Sequence, residues 1–539
     1  MLRKVTGGLP EGSARRVAAI ARVGARYGFG FVFRRRLFSK RRAEPARVGT
    51  RLRLSFEDLG PNFAELGRYL STRRDLLPPD VAAEIGRSAA ALRPVPIHEV
   101  RNTVERELGN TLERLFLDFD EKPTRIGVFT QSHRATLPGD RPALVVVNRP
   151  SMFRDLLAMR PVADLIRRRL GDRLPLNPSE IVAEFADHAS HRRDMFFTAQ
   201  TVRRLREMDG TLRIPEVYRD YSMGRCITFE APPSDPNAAD TRQAKVPEPR
   251  QYQAVAGELI RMALREGIFL AEPVPERFVA VGEEVWLADP TEIFALDPEL
   301  LRGVAETLAS MRRGDVDGMV RALTLTGASI PQEASSLRRE LRETMGTLGG
   351  PLWAEHSLTR IRDSGLEAAR RGSARLQAET AQMFDSLARA EELGKVGGVD
   401  PGYVGTVAAA EGAEEVISRF RDPAYVASRT LRRLAQPDTY ADYPRQIHAL
   451  LNELKDGEVE VRFRHGGLDN LLSKVDILAN RLVFAVLIAA LILGSSMLGI
   501  FSEAGATLFG ISVFGLVGFV FAAVLGLALL VDIIRSGRL

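Results

Sequence analysis

Two uninterrupted apolar runs near the C-terminus constrain this chain more than any other feature. Leu482–Phe501 reads LVFAVLIAALILGSSMLGIF, and Leu508–Val531 reads LFGISVFGLVGFVFAAVLGLALLV. The runs are 20 and 24 residues long and hold no formal charge. At ~1.5 Å rise per residue, a helix of either length would cross the ~30 Å core of a bilayer. A pair of fully buried globular helices is the alternative, disfavoured because two such runs stand back to back with no polar face. The sequence therefore predicts a C-terminal two-helix transmembrane hairpin, bounded by Leu482, Phe501, Leu508 and Val531. Arg481 precedes it, Arg535 and Arg538 follow it, and the turn Ser502–Thr507 carries only Glu503. Positive-inside asymmetry places the body on the cytoplasmic or matrix side of a bacterial or organelle inner membrane. Gly518, Ala522 and Gly526 recur at four-residue spacing. Such a stripe lets helices approach closely, either in a homodimer or against another protein.

Charge is distributed unevenly. Residues 1–53 carry 15 Lys/Arg and 2 Asp/Glu, although the whole chain is only +6. Val17, Ile20, Gly24, Tyr27 and Phe31 recur at helical spacing opposite Arg15, Arg22 and Arg26, which reads as a basic amphipathic arm. An anionic lipid surface suits it as a partner. Nucleic acid is not expected, because no aromatic-interleaved basic motif accompanies the charge. The lone Cys226 excludes an intramolecular disulfide and a cysteine metal cluster.

Between these ends, residues 54–122 read as helices with a break at 76–80 and a helix from Ile97 to Phe119. Residues 124–150 are strand-like, and the apolar run Ala143–Val147 is the clearest strand. Ile181–Met208 reads as one long polar helix, Arg213–Glu230 as two strands around a turn, and Pro232–Pro249 as an exposed loop. Helix dominates 250–460, with a short strand pair near 278–288. Glu458–Phe463 alternates like a strand, and an amphipathic helix from Leu468 leads into the first apolar run. No GxxxxGK[ST], GxGxxG or GxSxG motif is present in a usable context. Glu184, His188 and His191 share one helical face and could ligate a divalent ion. A solvated polar face is the plainer reading of the same spacing. These features describe a mostly helical α+β chain and deliver no active site.

Three stretches resemble one family, the UbiB/AarF or ADCK-type atypical protein-kinase-like proteins of quinone biosynthesis. ARYGFGFVFRR and FEDLGPNFAELGRYLSTRRDLLPPDV match its N-terminal extension. FALDPELLRGVAETLASMRRGDVDGMVRAL matches the segment after its Asp-Phe-Gly, and RHGGLDNLLSKVDILANRLVFAVLIAALILGSSML its membrane-proximal helix and first span. The resemblance implies a protein-kinase-like fold. A basic arm (1–53) and a helical N-terminal extension (54–122) precede an N-lobe (123–231). A mostly helical C-lobe (232–470) and the membrane region (471–539) complete it.

The family's catalytic positions are rewritten. Its Lys-x-Gly-Gln reads Glu65-Leu66-Gly67-Arg68, and its alanine-rich phosphate loop reads Pro123-Thr124-Arg125-Ile126-Gly127-Val128. The strand lysine is Val146 and the helix glutamate paired with it is Thr198. Glu-x-Asp becomes Arg192-Arg193-Asp194. The catalytic loop runs from Leu270 to Arg277, with Glu272 for the base aspartate and Arg277 for the metal-binding asparagine. Asp289-Pro290-Thr291 stands for Asp-Phe-Gly, so Asp289 alone keeps a metal-binding group. Phosphoryl transfer depends on a charged cradle and metal-held phosphates, so the resemblance implies a pseudokinase-like scaffold or accessory protein. Its partners would be an isoprenoid lipid or quinone-biosynthesis proteins. Arg68, Arg192 and Arg277 then need acidic neighbours, and Glu65, Glu272 and Glu276 are the expected ones. A residual ATPase or kinase, working with Mg-ATP through Asp289 and Glu272, is the alternative. A structural protein unrelated to quinones is the third reading.

Overall fold

In the computed structural model, the described residues are 11–29, 45–149, 152–171, 176–208, 210–233, 246–348, 356–396 and 402–422, with isolated positions at 174, 425 and between 493 and 523. The chain divides into two units, residues 1–449 and 450–539.

The first unit opens with helices α1 (Glu11–Arg26), α2 (Pro45–Leu59), α3 (Pro61–Thr72), α4 (Pro79–Gly86) and α5 (Ile97–Leu108), followed by a single turn, α6 (Leu112–Leu115). Proline at the first turn starts α3 and α4, where its missing N–H costs nothing. Strands β1 (Asp118–Phe119), β2 (Arg125–Ile126), β3 (Thr130–Leu137) and β4 (Arg141–Asn148) come next. Helices α7 (Met152–Leu170), α8 (Pro178–His191) and α9 (Met195–Arg206) then lead to β5 (Leu212–Arg213) and β6 (Cys226–Glu230).

An antiparallel sheet runs β1-β3-β4-β6, with β2 also paired to β3. Its central strand β4 is buried on both faces. Val145 and Val147 pack into a cluster with Val100 and Val104 of α5. Leu144 and Val146 point the other way, into a cluster with Met195 and Val202 of α9. The two-residue period of a strand thus sandwiches the sheet between α5 and α9. A third cluster joins Val17 and Ile20 of α1 to Phe63 and Leu66 of α3, Ala158 of α7 and Phe185 of α8. The apolar face of the basic N-terminal helix is therefore covered from within. Its Arg16 pairs with Asp155 of α7 at 2.5 Å.

The second half supplies α10 (Pro249–Glu266), β7 (Ile268–Leu270), β8 (Phe278–Val281), β9 (Glu284–Leu287) and β10 (Ile293–Ala295). Helices α11 (Pro298–Arg313), α12 (Val316–Leu325), α13 (Ser335–Leu348), α14 (Leu358–Arg371), α15 (Ala378–Gly394) and α16 (Gly402–Arg421) follow. Strand β7 pairs with β10. The β8–β9 hairpin, at the expected 278–288 position, takes β5 in parallel on its β9 edge. Gly267 ends α10 at φ 72°, a left-handed conformation that glycine adopts without strain.

Several expectations need correction. The long helix at 181–208 is two helices, because Asp194 turns to cap α9 and accepts a hydrogen bond from the Phe197 N–H at 2.9 Å. The helix from Ile97 stops at Leu108, where Gly109 takes φ 70°. The reversal within 213–230 is present, with Val217 bridged antiparallel to Phe229, but Leu212–Arg213 joins β9 and β6 also pairs with β4. The loop at 234–245, the strand at 458–463 and the helix from Leu468 fall outside the described residues.

The transmembrane hairpin is corrected as well. Among the described residues no helix is long and apolar enough to cross a membrane. At the start of the second apolar run the chain is strand, with β11 (Thr507–Leu508) paired antiparallel to β12 (Ile511–Ser512). The integral-membrane placement drawn from that hairpin is corrected with it. An apolar run reports a preference for leaving water, not a helical backbone, and β-branched Thr507 and Ile511 favour a strand. Leu482, Phe501, Gly518, Gly526 and Val531 lie outside the described residues, and Ala522 is buried.

Candidate functional site

Seven side chains of alternating sign thread the interior of the first unit: Arg68, Glu65, Arg192, Glu292, Arg277, Asp289 and Arg125. The line begins on α3, where a three-residue helical spacing brings Arg68 Nε within 2.9 Å of Glu65 Oε2. Arg192 lies in the break between α8 and α9 that the Asp194 cap creates. It donates to Glu65 Oε1 and lies 2.5 Å from Glu292 Oε1. Its guanidinium also sits 4.4 Å from the Phe129 ring centroid. Arg277 ends the 3₁₀ turn Pro275–Arg277 and is 0% exposed. It donates to Glu292 Oε2, to the Thr291 carbonyl at 2.6 Å and to the Asp289 carbonyl at 3.2 Å. Arg125 of β2 donates to Asp289 Oδ2 at 2.6 Å. Asp289 Oδ1 accepts from the Thr291 N–H at 3.0 Å and from its hydroxyl at 2.5 Å.

Each carboxylate oxygen of Glu65, Asp289 and Glu292 thus faces a guanidinium or a Thr291 donor. Burial alone would raise the Glu292 carboxyl, but Arg192 and Arg277 outweigh it and hold the group well below the usual carboxylate range. Burial likewise opposes ionisation of Asp289, and Arg277 and Arg125 more than offset it. Burial lowers the Arg277 guanidinium, with Glu292 opposing the shift, and it stays charged at neutral pH. Glu292 takes φ 62°, a conformation that costs about 1–3 kcal/mol outside glycine. Two charge-assisted contacts compensate for that strain.

The line occupies the positions where the resemblance implies nucleotide and metal. It brings together Glu65, Arg68, Arg277 and Asp289 with Arg125 and Arg192. Val146 and Thr198 are not in it. Val146 is 0% exposed in the apolar cluster shared with α9, and Thr198 is buried with its hydroxyl on the Asp194 carbonyl at 2.8 Å. Glu272 lines a crevice with Arg68, Arg192 and Arg389 and acts on the arginines through its field. Glu276 is exposed. The expected partners Glu272 and Glu276 are thus corrected to Glu292 and Asp289. Sequence reasoning missed Glu292, whose one signal was that three inward arginines needed more carboxylate than the motifs supplied.

Another buried arginine, outside the charge line, organises the neighbouring region. Arg73 donates to Asp75 through Nε at 3.1 Å and Nη2 at 3.0 Å, to the Leu376 carbonyl at 2.9 Å, and to Glu184. Asp75 accepts the Leu376 N–H at 3.0 Å. Glu184 is therefore committed to Arg73. His188 stacks on Phe294 with centroids 5.4 Å apart and contacts Gln382 at 2.9 Å. Burial, reinforced by Arg192, holds its imidazole neutral. Among the described residues no group of three or more His, Cys, Asp and Glu could hold a metal ion, so the Glu184–His188–His191 ligand set is corrected.

Residues 88–323 match the ABC1 atypical kinase-like domain, and residues 466–535 match the ABC1/UbiB kinase-like C-terminal domain. The chain belongs to the ABC1/UbiB atypical kinase-like family. A probable protein kinase UbiB of Xanthomonas campestris is 27% identical over 489 residues, 84% of this chain and 85% of that one. The corresponding UbiB of Aeromonas hydrophila is 34% identical over 213 residues, 37% of this chain and 38% of its own. An uncharacterised protein from the hydrogenase 1 5' region of Clostridium pasteurianum is 22% identical and aligns with 98% of this chain and 100% of its own length. The ABC1 domain match covers the sheet, α9 and the Asp289 segment, so the seven-charge line lies within and beside the kinase-like domain.

Proposed function

We propose that this UbiB-family chain is a pseudokinase, a binding or accessory protein whose nucleotide and metal positions have been closed by internal ion pairs. The observation that carries the reading is the 2.6 Å pair between Arg125 and Asp289. A guanidinium from the segment corresponding to the phosphate loop sits on the one retained metal-binding carboxylate. Mg²⁺ generally requires one or two open carboxylates together with substrate phosphates. Asp289 and Glu292 are both taken, and Val146 offers no charge to a phosphate, so this donor set does not fit Mg-ATP. The framework around the pocket is kept, with Arg73 and Asp75 of the LSTRRDLLPP run making buried contacts. Retained architecture without open catalytic groups suits a protein that works through contact. Its family likeness points to quinone biosynthesis or isoprenoid-lipid handling as the setting, with a lipid of that class or a biosynthetic protein as the partner.

Thermal unfolding of the full chain with and without Mg-ATP tests this. A site of ~10 μM affinity would add ~2.7 kcal/mol at ~1 mM ligand and raise melting by a few degrees. No shift is expected. A shift of that size, lost in Asp289→Asn, would overturn the reading in favour of a residual ATPase or kinase.

A further inference from the structure

The connector between α4 and α5, residues 89–96, has no regular structure and is mostly exposed. Pro94 and Pro96 stiffen it, because each fixes its own φ and keeps the residue before it extended. Two side chains of the sheet clasp it. Gln131 of β3 accepts the Val95 N–H on Oε1 at 2.7 Å and donates from Nε2 to the Val95 carbonyl at 3.2 Å. Arg149, just past β4, donates from Nη2 to the Arg93 carbonyl at 2.6 Å.

The same two side chains hold the hairpin that carries Arg125. Arg149 Nη1 donates to the Gly127 carbonyl at 2.5 Å, and Gln131 stands opposite Ile126 in the β2–β3 register. Gln131 Nε2 also donates to His133 Nε2 at 3.0 Å. That leaves His133 Nδ1 to donate to the Asp120 carbonyl at 2.8 Å, in the loop leading to β2. β2 itself is only two residues long, so these ties add much to its hold on β3. Burial disfavours the Arg149 charge, and among the described residues no carboxylate offsets that cost. An ion pair therefore does not account for this arginine. Its charge-assisted bonds to carbonyls of two separate segments do.

We infer that residues 89–96 are a strap, and that Arg149 and Gln131 are the positioning residues through which it keeps Arg125 on Asp289. The inference rests on the proposed closure of the nucleotide site by internal ion pairs, and it gives that closure a control point. Moving the connector loosens Arg125, and holding it keeps the site shut.

Hydrogen–deuterium exchange and phenylglyoxal labelling of the full chain, both without nucleotide, test it. Arg149→Met removes both carbonyl bonds. Val95→Pro removes the N–H that Gln131 accepts and lies outside the hairpin, and an extended residue ahead of Pro96 accommodates proline. In each variant the amides of 120–127 should exchange about threefold faster or more. Arg125 should be labelled faster, while β6 and α9 exchange as in the parent. Melting temperatures show which variants are folded, and either one suffices if the other is not. Unchanged exchange at 120–127 or unchanged Arg125 labelling in a folded variant, or an equal rise in β6 and α9, would overturn the inference. Failure of the proposed closure would show separately, as Mg-ATP stabilisation of the unaltered chain.

Discussion

Arg277 has no exposed surface and still carries a full charge, so its neighbours must replace the water it lost. Glu292 on one side and two backbone carbonyls on the other do so. The arrangement makes the molecule acid-sensitive. Asp289 and Glu292 both titrate below the ordinary carboxyl range in the folded protein. Their ionised forms therefore stabilise the fold above about pH 4, and that contribution disappears as pH falls through the folded values. Urea midpoints should stay level from about pH 8 to 5 and then fall below about pH 4. Glu292→Gln should be less stable at neutral pH and show a shallower acid decline. An acid decline as steep in that variant as in the parent would contradict this assignment.

At the scale of elements, α1 is the instructive case. Its sequence reads as a basic amphipathic arm awaiting a surface, and its apolar face is instead packed on α3, α7 and α8. Ile20 is 7% exposed and Val17 1% exposed. If that packing holds the helix, Ile20→Ala should lower the unfolding free energy by about 2 kcal/mol or more. Chemical denaturation monitored by circular dichroism would measure it, and an unchanged midpoint would mean the helix is not part of the cooperative core. The break between α8 and α9 is the other decisive element. Helical periodicity runs through it, and only the Asp194 cap turns Arg192 inward.

For the whole molecule, Arg73 and Asp75 connect parts of the chain about three hundred residues apart, joining the end of α3 to the segment before α15. The guanidinium serves Asp75, Glu184 and Leu376 at once, which a lysine ammonium on a flexible stem cannot reproduce. Arg73→Lys should therefore cost about 3–5 kcal/mol, the usual penalty for breaking a buried pair. Urea unfolding of the two proteins measures it, and equal stability would show that the connection is dispensable.

Local physics made much of this chain legible in one dimension. A short unbroken apolar run makes Ala143–Val147 a strand buried on both faces, glycine and proline mark many of the helix limits, and the LSTRRDLLPP run carries the family resemblance. Val146 and Arg277 were also legible as residue types, at the positions that the resemblance assigns to a strand lysine and a catalytic-loop asparagine. The partners of those residues were not visible. Glu292 has no motif, and its role exists only because the turn after Asp289 carries it to φ 62° between two arginines from distant segments. The apolar C-terminal run shows the same limit, since hydropathy reports the preferred solvent and strand pairing at Leu508 and Ile511 depends on which backbone lies opposite. Charge pairing and strand pairing are both relations between residues far apart or facing one another, so the tertiary structure alone could decide them.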